Sequence, residues 1–154
     1  MMLDEIDRRL LAELQEEGRV TNVELANRVG LTAPPCLRRV RTLEQKGAIR
    51  GYHADLDPSA LGFSTTVFAM VSLKSQAEDA LKEFERHMGD LPEVRECHML
   101  NGEIDFILKI VSHDLQSFQE FLTSKLTPAP NVASVKTSLV IRTAKHQPGV
   151  PLEV

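Results

Sequence analysis

Five basic side chains crowd one stretch of an otherwise acidic chain. Between residues 32 and 50, Arg38, Arg39, Arg41, Lys46 and Arg50 face Glu44 alone, a local charge of +4 in a protein whose net charge is −4. Clustered cations of this kind neutralise phosphates and release their counterions, and an arginine can also pair in two-pronged fashion with a guanine edge. Arg38 and Arg41 suit base edges or phosphates. Thr32, Arg39 and Arg50 suit the sugar-phosphate backbone, which sets register, and Pro34 stands among them on the side expected to face DNA. The same charge run on a solvated helix face is the competing reading. A second constellation is Asn101-Gly102-Glu103-Ile104-Asp105. Gly102 lets the backbone turn N–H groups towards a carboxylate, and Asp105 can meet an ammonium, so the pair matches the two charged ends of a free amino acid. The competing reading there is an ordinary hairpin turn with a solvated aspartate.

Other chemistry is not spelled out. The chain carries no P-loop, nucleophile elbow or dinucleotide fingerprint. His53, His87, His98, His113 and His146 include no pair at i, i+3 or i, i+4. Cys97 and His98 are neighbours on a predicted strand and point to opposite faces. No metal site, catalytic site or cofactor is therefore expected. Glu78, Asp79, Glu83 and Glu85 read as the wet face of a helix. Cys36 and Cys97 are expected to be reduced thiols. The opening MMLDEIDRR is acidic and amphipathic, unlike a signal peptide, and no apolar run approaches the ~18 residues of a membrane span. A cytoplasmic, nucleoid-associated protein is the expectation.

These residues need elements to hold them, and 154 residues allow one domain or two small ones. Leu3, Ile6, Leu10, Leu11 and Leu14 recur at helical spacing behind Asp4, a plausible N-cap, and Gly18 closes that helix. Thr21-Asn22-Val23-Glu24 is a capping box, with the Thr21 hydroxyl accepting from the Glu24 N–H and Glu24 reaching back. It opens a second helix carrying Val23, Leu25, Ala26 and Val29, which Gly30 ends. A third helix is expected from about Pro35 to Lys46, because a residue before proline avoids helical geometry and Pro35 suits the first helical position. Its inward face is Cys36, Leu37, Val40 and Leu43, and Arg38 and Arg41 project outward. Two helices joined by a tight turn form a helix-turn-helix, although a three-helix bundle that binds protein has the same pattern. Residues 49–56 look like a short strand or wing. A boundary is expected at 57–63, separating a first domain (1–56) from a second (64–154).

The second half has a different grammar. Residues 65–73 form an apolar strand, 77–88 a helix, 93–100 and 105–111 two strands about Asn101-Gly102, 114–126 a helix with Leu115, Phe118, Phe121, Leu122 and Leu126, and 132–142 a last strand. The order βαββαβ is that of a ferredoxin-like fold. The fold class is therefore α+β. Strands such as Val67-Phe68-Ala69-Met70-Val71 are apolar on both sides, so a partner subunit is expected to cover the open face of the sheet.

Leu3-Asp4-Glu5-Ile6-Asp7, Glu24 through Thr32, Pro35 through Val40, Leu43 through Tyr52 and Glu103 through Lys109 together resemble the leucine-responsive regulator/asparagine-activator (Lrp/AsnC) family of transcriptional regulators, over nearly the whole chain and in the right order. The resemblance implies an N-terminal winged helix-turn-helix and a C-terminal domain that senses small molecules, usually amino acids. It implies dimers built into larger rings, commonly octamers. It also makes the 101–105 loop the effector-binding region at an interface between dimers: Asn101, Gly102 and Asp105, with Met99 lining the same pocket and Thr137 on the last strand. Two-fold dimers would read roughly palindromic operators with half-sites about one helical turn, ~34 Å, apart. Residues 1–62 carry nine Lys/Arg against ten Asp/Glu, so tight binding is expected only when an oligomer presents several copies. Two other readings remain open: an architectural DNA-binding protein with no effector, and a metabolic subunit whose N-terminal helices dock a partner.

Overall fold

The computed structural model describes all 154 residues, and it divides into two compact units: Met1–Asp55 with Lys145–Val154, and Leu56–Ala144.

The first unit is three helices, α1 (Glu5–Glu16), α2 (Asn22–Val29) and α3 (Ala33–Gln45). Asp4 caps α1, its carboxylate accepting from the Asp7 N–H at 2.8 Å. Thr21 caps α2, accepting from the Glu24 N–H at 3.2 Å. Glu24 does not complete a capping box; its carboxylate turns to Arg28 four residues on, a charged partner that outcompetes a neutral N–H. Gly30 ends α2 in the left-handed region at φ 74°, and the Leu31 N–H wraps back to the Ala26 carbonyl. The core is Leu10, Leu25, Ala26, Val29, Cys36, Val40 and Leu43, with Ile6, Leu14, Val20 and Ile49 packed around it.

Several expectations for this unit need correcting. Helix α3 starts at Ala33, two residues ahead of Pro35. The first turn of a helix has no intrahelical use for its N–H groups, so Pro34 and Pro35 lose no hydrogen bond there. Asn22 Nδ2 donates to the Ala33 carbonyl at 2.9 Å and pins that residue in place. Leu37, placed on the inward face of α3, is 37% exposed, and Val23 of α2 is exposed as well. Residues 49–56 form no strand, since all four strands of the only sheet belong to the second unit. Side chains hold this segment instead: Ile49 reaches the core, and the Tyr52 hydroxyl donates to Glu44 Oε1 at 2.9 Å. Burial of the ring, aided by Glu44, pushes the Tyr52 pKa up to about 12. The last ten residues pack with this unit and not, as expected, with the sheet domain. Gln15 accepts from the Val150 N–H at 2.9 Å and donates to its carbonyl at 2.8 Å, so one amide side chain imitates a strand neighbour. A segment with no apolar period gives no sign of such docking in advance.

The second unit contains β1 (Thr65–Leu73), α4 (Glu78–Gly89), β2 (Val94–Met99), β3 (Phe106–Ser112), α5 (Leu115–Phe121) and β4 (Val132–Leu139). The sheet order β2-β3-β1-β4, antiparallel throughout, is that of the expected ferredoxin-like fold. Alternation along β1 and β3 sends Val67, Ala69, Val71, Phe106, Leu108 and Ile110 inward, to pack with Phe84 and Met88 of α4 and Phe118 and Phe121 of α5. The rings of Phe84 and Phe106 lie 4.8 Å apart at 44°. Helix α5 is shorter than expected. It gives way at Leu122–Leu126 to a π turn, which rotates Leu126 into the core and Lys125 towards Glu93 at 2.8 Å. On the other face, Phe68, Met70, Ile107 and Val111 stay half-buried or exposed, with Lys109 paired to Glu96 at 3.8 Å.

Candidate nucleic-acid interface and ligand loop

The basic residues of α3 split into two kinds. Arg38 and Arg41 are exposed and carry no ion pair. Arg39 is turned sideways onto the start of α1, where its Nη1 donates to Asp4 Oδ2 at 2.7 Å and Asp7 Oδ1 at 2.9 Å. Both partners raise the Arg39 pKa. The Asp4 carboxyl is held below its usual value first by the Asp7 N–H it caps and then by Arg39. Helical periodicity explains the split: with Cys36, Val40 and Leu43 inward, 38 and 41 fall on the far side and 39 on the flank nearest α1.

Thr32 is the N-cap of α3, yet its side chain makes no capping hydrogen bond. Prolines at 34 and 35 leave few N–H groups within its reach. Its hydroxyl and the ring of Pro34 are exposed at the same end of the helix, and Arg50 is exposed beyond the other end. Thr32, Pro34, Arg38 and Arg41 thus share the solvent side of α3, while Arg39 is engaged within the unit. An ion-pair cluster escaped the sequence reading altogether: Arg28 meets Glu13, Glu17 and Glu24 at 3.2, 2.8 and 3.2 Å, tying α2 to α1. Only its Glu24–Arg28 pair, four apart on one helix, leaves a mark in the sequence.

In the second unit, Asn101 and Gly102 lie exposed at the tip of a loop that is longer than a two-residue hairpin turn. It runs from Leu100 to Asp105 and is closed by the Leu100 N–H to the Asp105 carbonyl at 2.8 Å. Asp105 is half-buried, and its Oδ2 accepts from the Leu73 N–H at 2.7 Å and Gln76 Nε2 at 3.3 Å. One carboxylate oxygen therefore braces the loop against the end of β1, and Oδ1 has no partner within the chain. Met99 is 60% exposed where β2 runs into the loop. Thr137 is not brought to this group. It sits on β4 opposite Ala69, which pairs with Leu108, which pairs with Cys97 on β2. Thr137 and β2 are thus at opposite edges of one sheet, three strand spacings or about 14 Å apart. Within the core side of β2, burial pushes the Cys97 thiol up to about 11, helped by the charge of Glu85, which keeps it a neutral thiol.

Comparison with known proteins gives this geometry a context. A family model described as a winged helix-turn-helix DNA-binding domain matches residues 3–50, and one described as the Lrp/AsnC ligand binding domain matches residues 66–150. The leucine-responsive regulatory protein of Rhizobium meliloti is 53% identical over 143 residues, 93% of this chain and 92% of that protein. Its Escherichia coli counterpart is 41% identical over 144 residues, 94% and 88% of the two chains. A transcriptional regulator from Neisseria meningitidis, solved as a complex with L-methionine, superposes with a TM-score of 0.93 at 38% identity, covering 98% of this chain and 97% of that one. An AsnC family regulator from Agrobacterium tumefaciens superposes at 0.91 with 30% identity over 97% of both.

Proposed function

From the premise that the chain belongs to the Lrp/AsnC family, whose two domains match it nearly end to end, we propose how its residues divide the work of a DNA-binding, ligand-modulated transcriptional regulator. Helix α3 is the recognition helix. Arg38 and Arg41 approach base edges or phosphates, and Thr32, Pro34 and Arg50 meet the sugar-phosphate backbone. Arg39 acts from within, holding α3 to α1 through Asp4 and Asp7 so that the outward arginines arrive in register. The observation that carries this division is the pairing itself: two acidic residues hold Arg39, and nothing in the chain holds its neighbours.

Replacing Arg38 and Arg41 together by alanine should weaken operator binding on the order of 100-fold, since each well-placed arginine contributes roughly 1–3 kcal/mol. Filter binding across a salt series measures this, with the oligomer's mass as the control for folding. Unchanged affinity would sink the assignment.

The 100–105 loop is the amino-acid site, with L-methionine the first ligand to try because the Neisseria meningitidis relative was solved with it. The loop's backbone N–H groups about Gly102 receive the carboxylate. The free Oδ1 of Asp105 receives the ammonium, while Met99 and Asn101 line the site. Thr137 joins only from another subunit, because its own chain holds it across the sheet. The half-open apolar face around Phe68 and Met70 closes on a second copy, and such dimers assemble further, with octamers the size to test. Roughly palindromic operators follow from the two-fold arrangement, and a regulator that binds DNA works in the cytoplasm with the nucleoid. An amino acid that binds one assembly state better shifts the population and with it the affinity for DNA. Calorimetry tests the site: if an Asp105→Ala variant with an intact fold binds methionine as the parent does, the role given to Asp105 is wrong.

A further inference from the structure

The outward face of α3 carries one large aliphatic side chain that the first unit leaves partly uncovered. Leu37 is 37% exposed, while Cys36, Val40 and Leu43 of the same helix are buried. It is also not among the partly buried residues that pack on the first unit's core. At 100° per residue, Pro34, Leu37 and Arg41 follow one another at i, i+3 and i+7, so they form a strip along the solvent side, with Arg38 beside it. The strip is apolar towards the N-terminal end of the helix and cationic further along. Its start, Thr32, has an uncapped hydroxyl.

The N-terminal residues of a recognition helix are those that come nearest the base edges. On the floor of the major groove, the apolar feature that distinguishes one base from the other three is the 5-methyl group of thymine. We propose that Leu37, with the ring of Pro34 beside it, is a specificity-determining residue that packs on a thymine methyl next to the bases or phosphates taken by Arg38 and Arg41. The proposal rests on the reading of α3 as the recognition helix. It adds a requirement that the arginines do not impose: each half-site contains one thymine that is read by shape and apolar contact and not by a hydrogen bond.

The test removes one methyl group at a time. The full-length protein selects its sites from a pool of random duplexes, and each thymine of the recovered half-site is then replaced by deoxyuridine. The parent should lose roughly fourfold in affinity at one thymine per half-site, the factor that burial of one carbon group contributes. Leu37→Ala should bind the thymine and deoxyuridine duplexes equally, with an unchanged salt slope because both arginines remain. Leu37→Met, which keeps the apolar contact, should retain the preference. Because Leu37 keeps only 37% of its surface exposed, Leu37→Ala should stay folded but melt somewhat below the parent, and Leu37→Met should melt with it. If every thymine can be replaced without loss, or if Leu37→Ala keeps the preference, the inference is overturned while α3 remains the DNA-binding helix. If the protein binds no duplex in a salt-dependent manner, the proposed function falls and this inference with it.

Discussion

In the first unit, three helices bury seven residues, Leu10 among them, and send charge to the surface, some of it locked in the Arg28 and Arg39 ion pairs and some of it free on α3. In the second, a sheet buries one face beneath two helices and leaves the other apolar and half open at Phe68, Met70, Ile107 and Val111. A cationic surface with no internal counter-charge suits a polyanion. An apolar sheet face suits another copy of itself, since like surfaces related by a two-fold axis can bury each other without pairing charges. The two kinds of exposed residue therefore point to two kinds of partner.

The largest test of this contrast places a charge on the open sheet face. Phe68→Glu should cost an assembled protein several kcal/mol, because the carboxylate would be buried without a partner. Light scattering should then report smaller particles with an unchanged circular dichroism spectrum, and an unchanged mass would mean that the face is not an interface. A core change sharpens the separation of the two units. Phe84→Ala removes a fully buried ring that meets Phe106 and should destabilise the second unit by about 3–5 kcal/mol. Tyr52 is the only tyrosine of a chain without tryptophan, so its fluorescence in urea follows the first unit alone. The dichroism transition should shift while the Tyr52 transition stays; if both move together, the units do not fold independently.

Arg39→Ala is a smaller change. It should lower the Tyr52 transition by about 1 kcal/mol, the upper range for exposed ion pairs, and leave the salt slope of DNA binding unchanged. Removing a phosphate contact lowers that slope by about 1, and this is the result to expect of Arg50→Ala. The smallest effect compares the two aspartate caps, one per unit. Asp4 and Asp114 are each held below 3.8, chiefly by the N–H groups of Asp7 and Ser117 that they cap. A carboxyl depressed in the folded state contributes stability above its unfolded pKa and loses it as pH falls through the folded value. Each unit should therefore lose stability below about pH 4, and Asp4→Asn should flatten the acid limb of the Tyr52 transition but not that of the second unit.

The helices and strands were legible wherever apolar residues kept a single period over two turns or more. β1 has the expected bounds, and the βαββαβ order is observed as read. The basic segment and its two outward arginines were legible too, because Cys36, Val40 and Leu43 define the inward side of α3 without reference to anything else. Local rules failed where a residue's neighbours come from elsewhere in the chain. Leu37 is apolar but sits at the edge of the inward arc of α3 and stays 37% exposed. The wing expected at 49–56 has no strand to pair with. The tail at 145–154 gives no periodic signal, and what holds it is a glutamine 135 positions earlier.

The basic stretch between residues 32 and 50 was thus determined by the sequence as a charge surplus, and its place on one helix followed from spacing alone. Which of its arginines are available was decided only by tertiary structure. Arg39 differs from Arg38 and Arg41 because α1 brings Asp4 and Asp7 within 3 Å of it. Likewise, Asp105 can be identified from its loop, but only the end of β1 determines that one of its oxygens is already taken. Charge and periodicity are properties of short segments and can be read in order. Pairing depends on distance in space, which the chain sets only once it has folded.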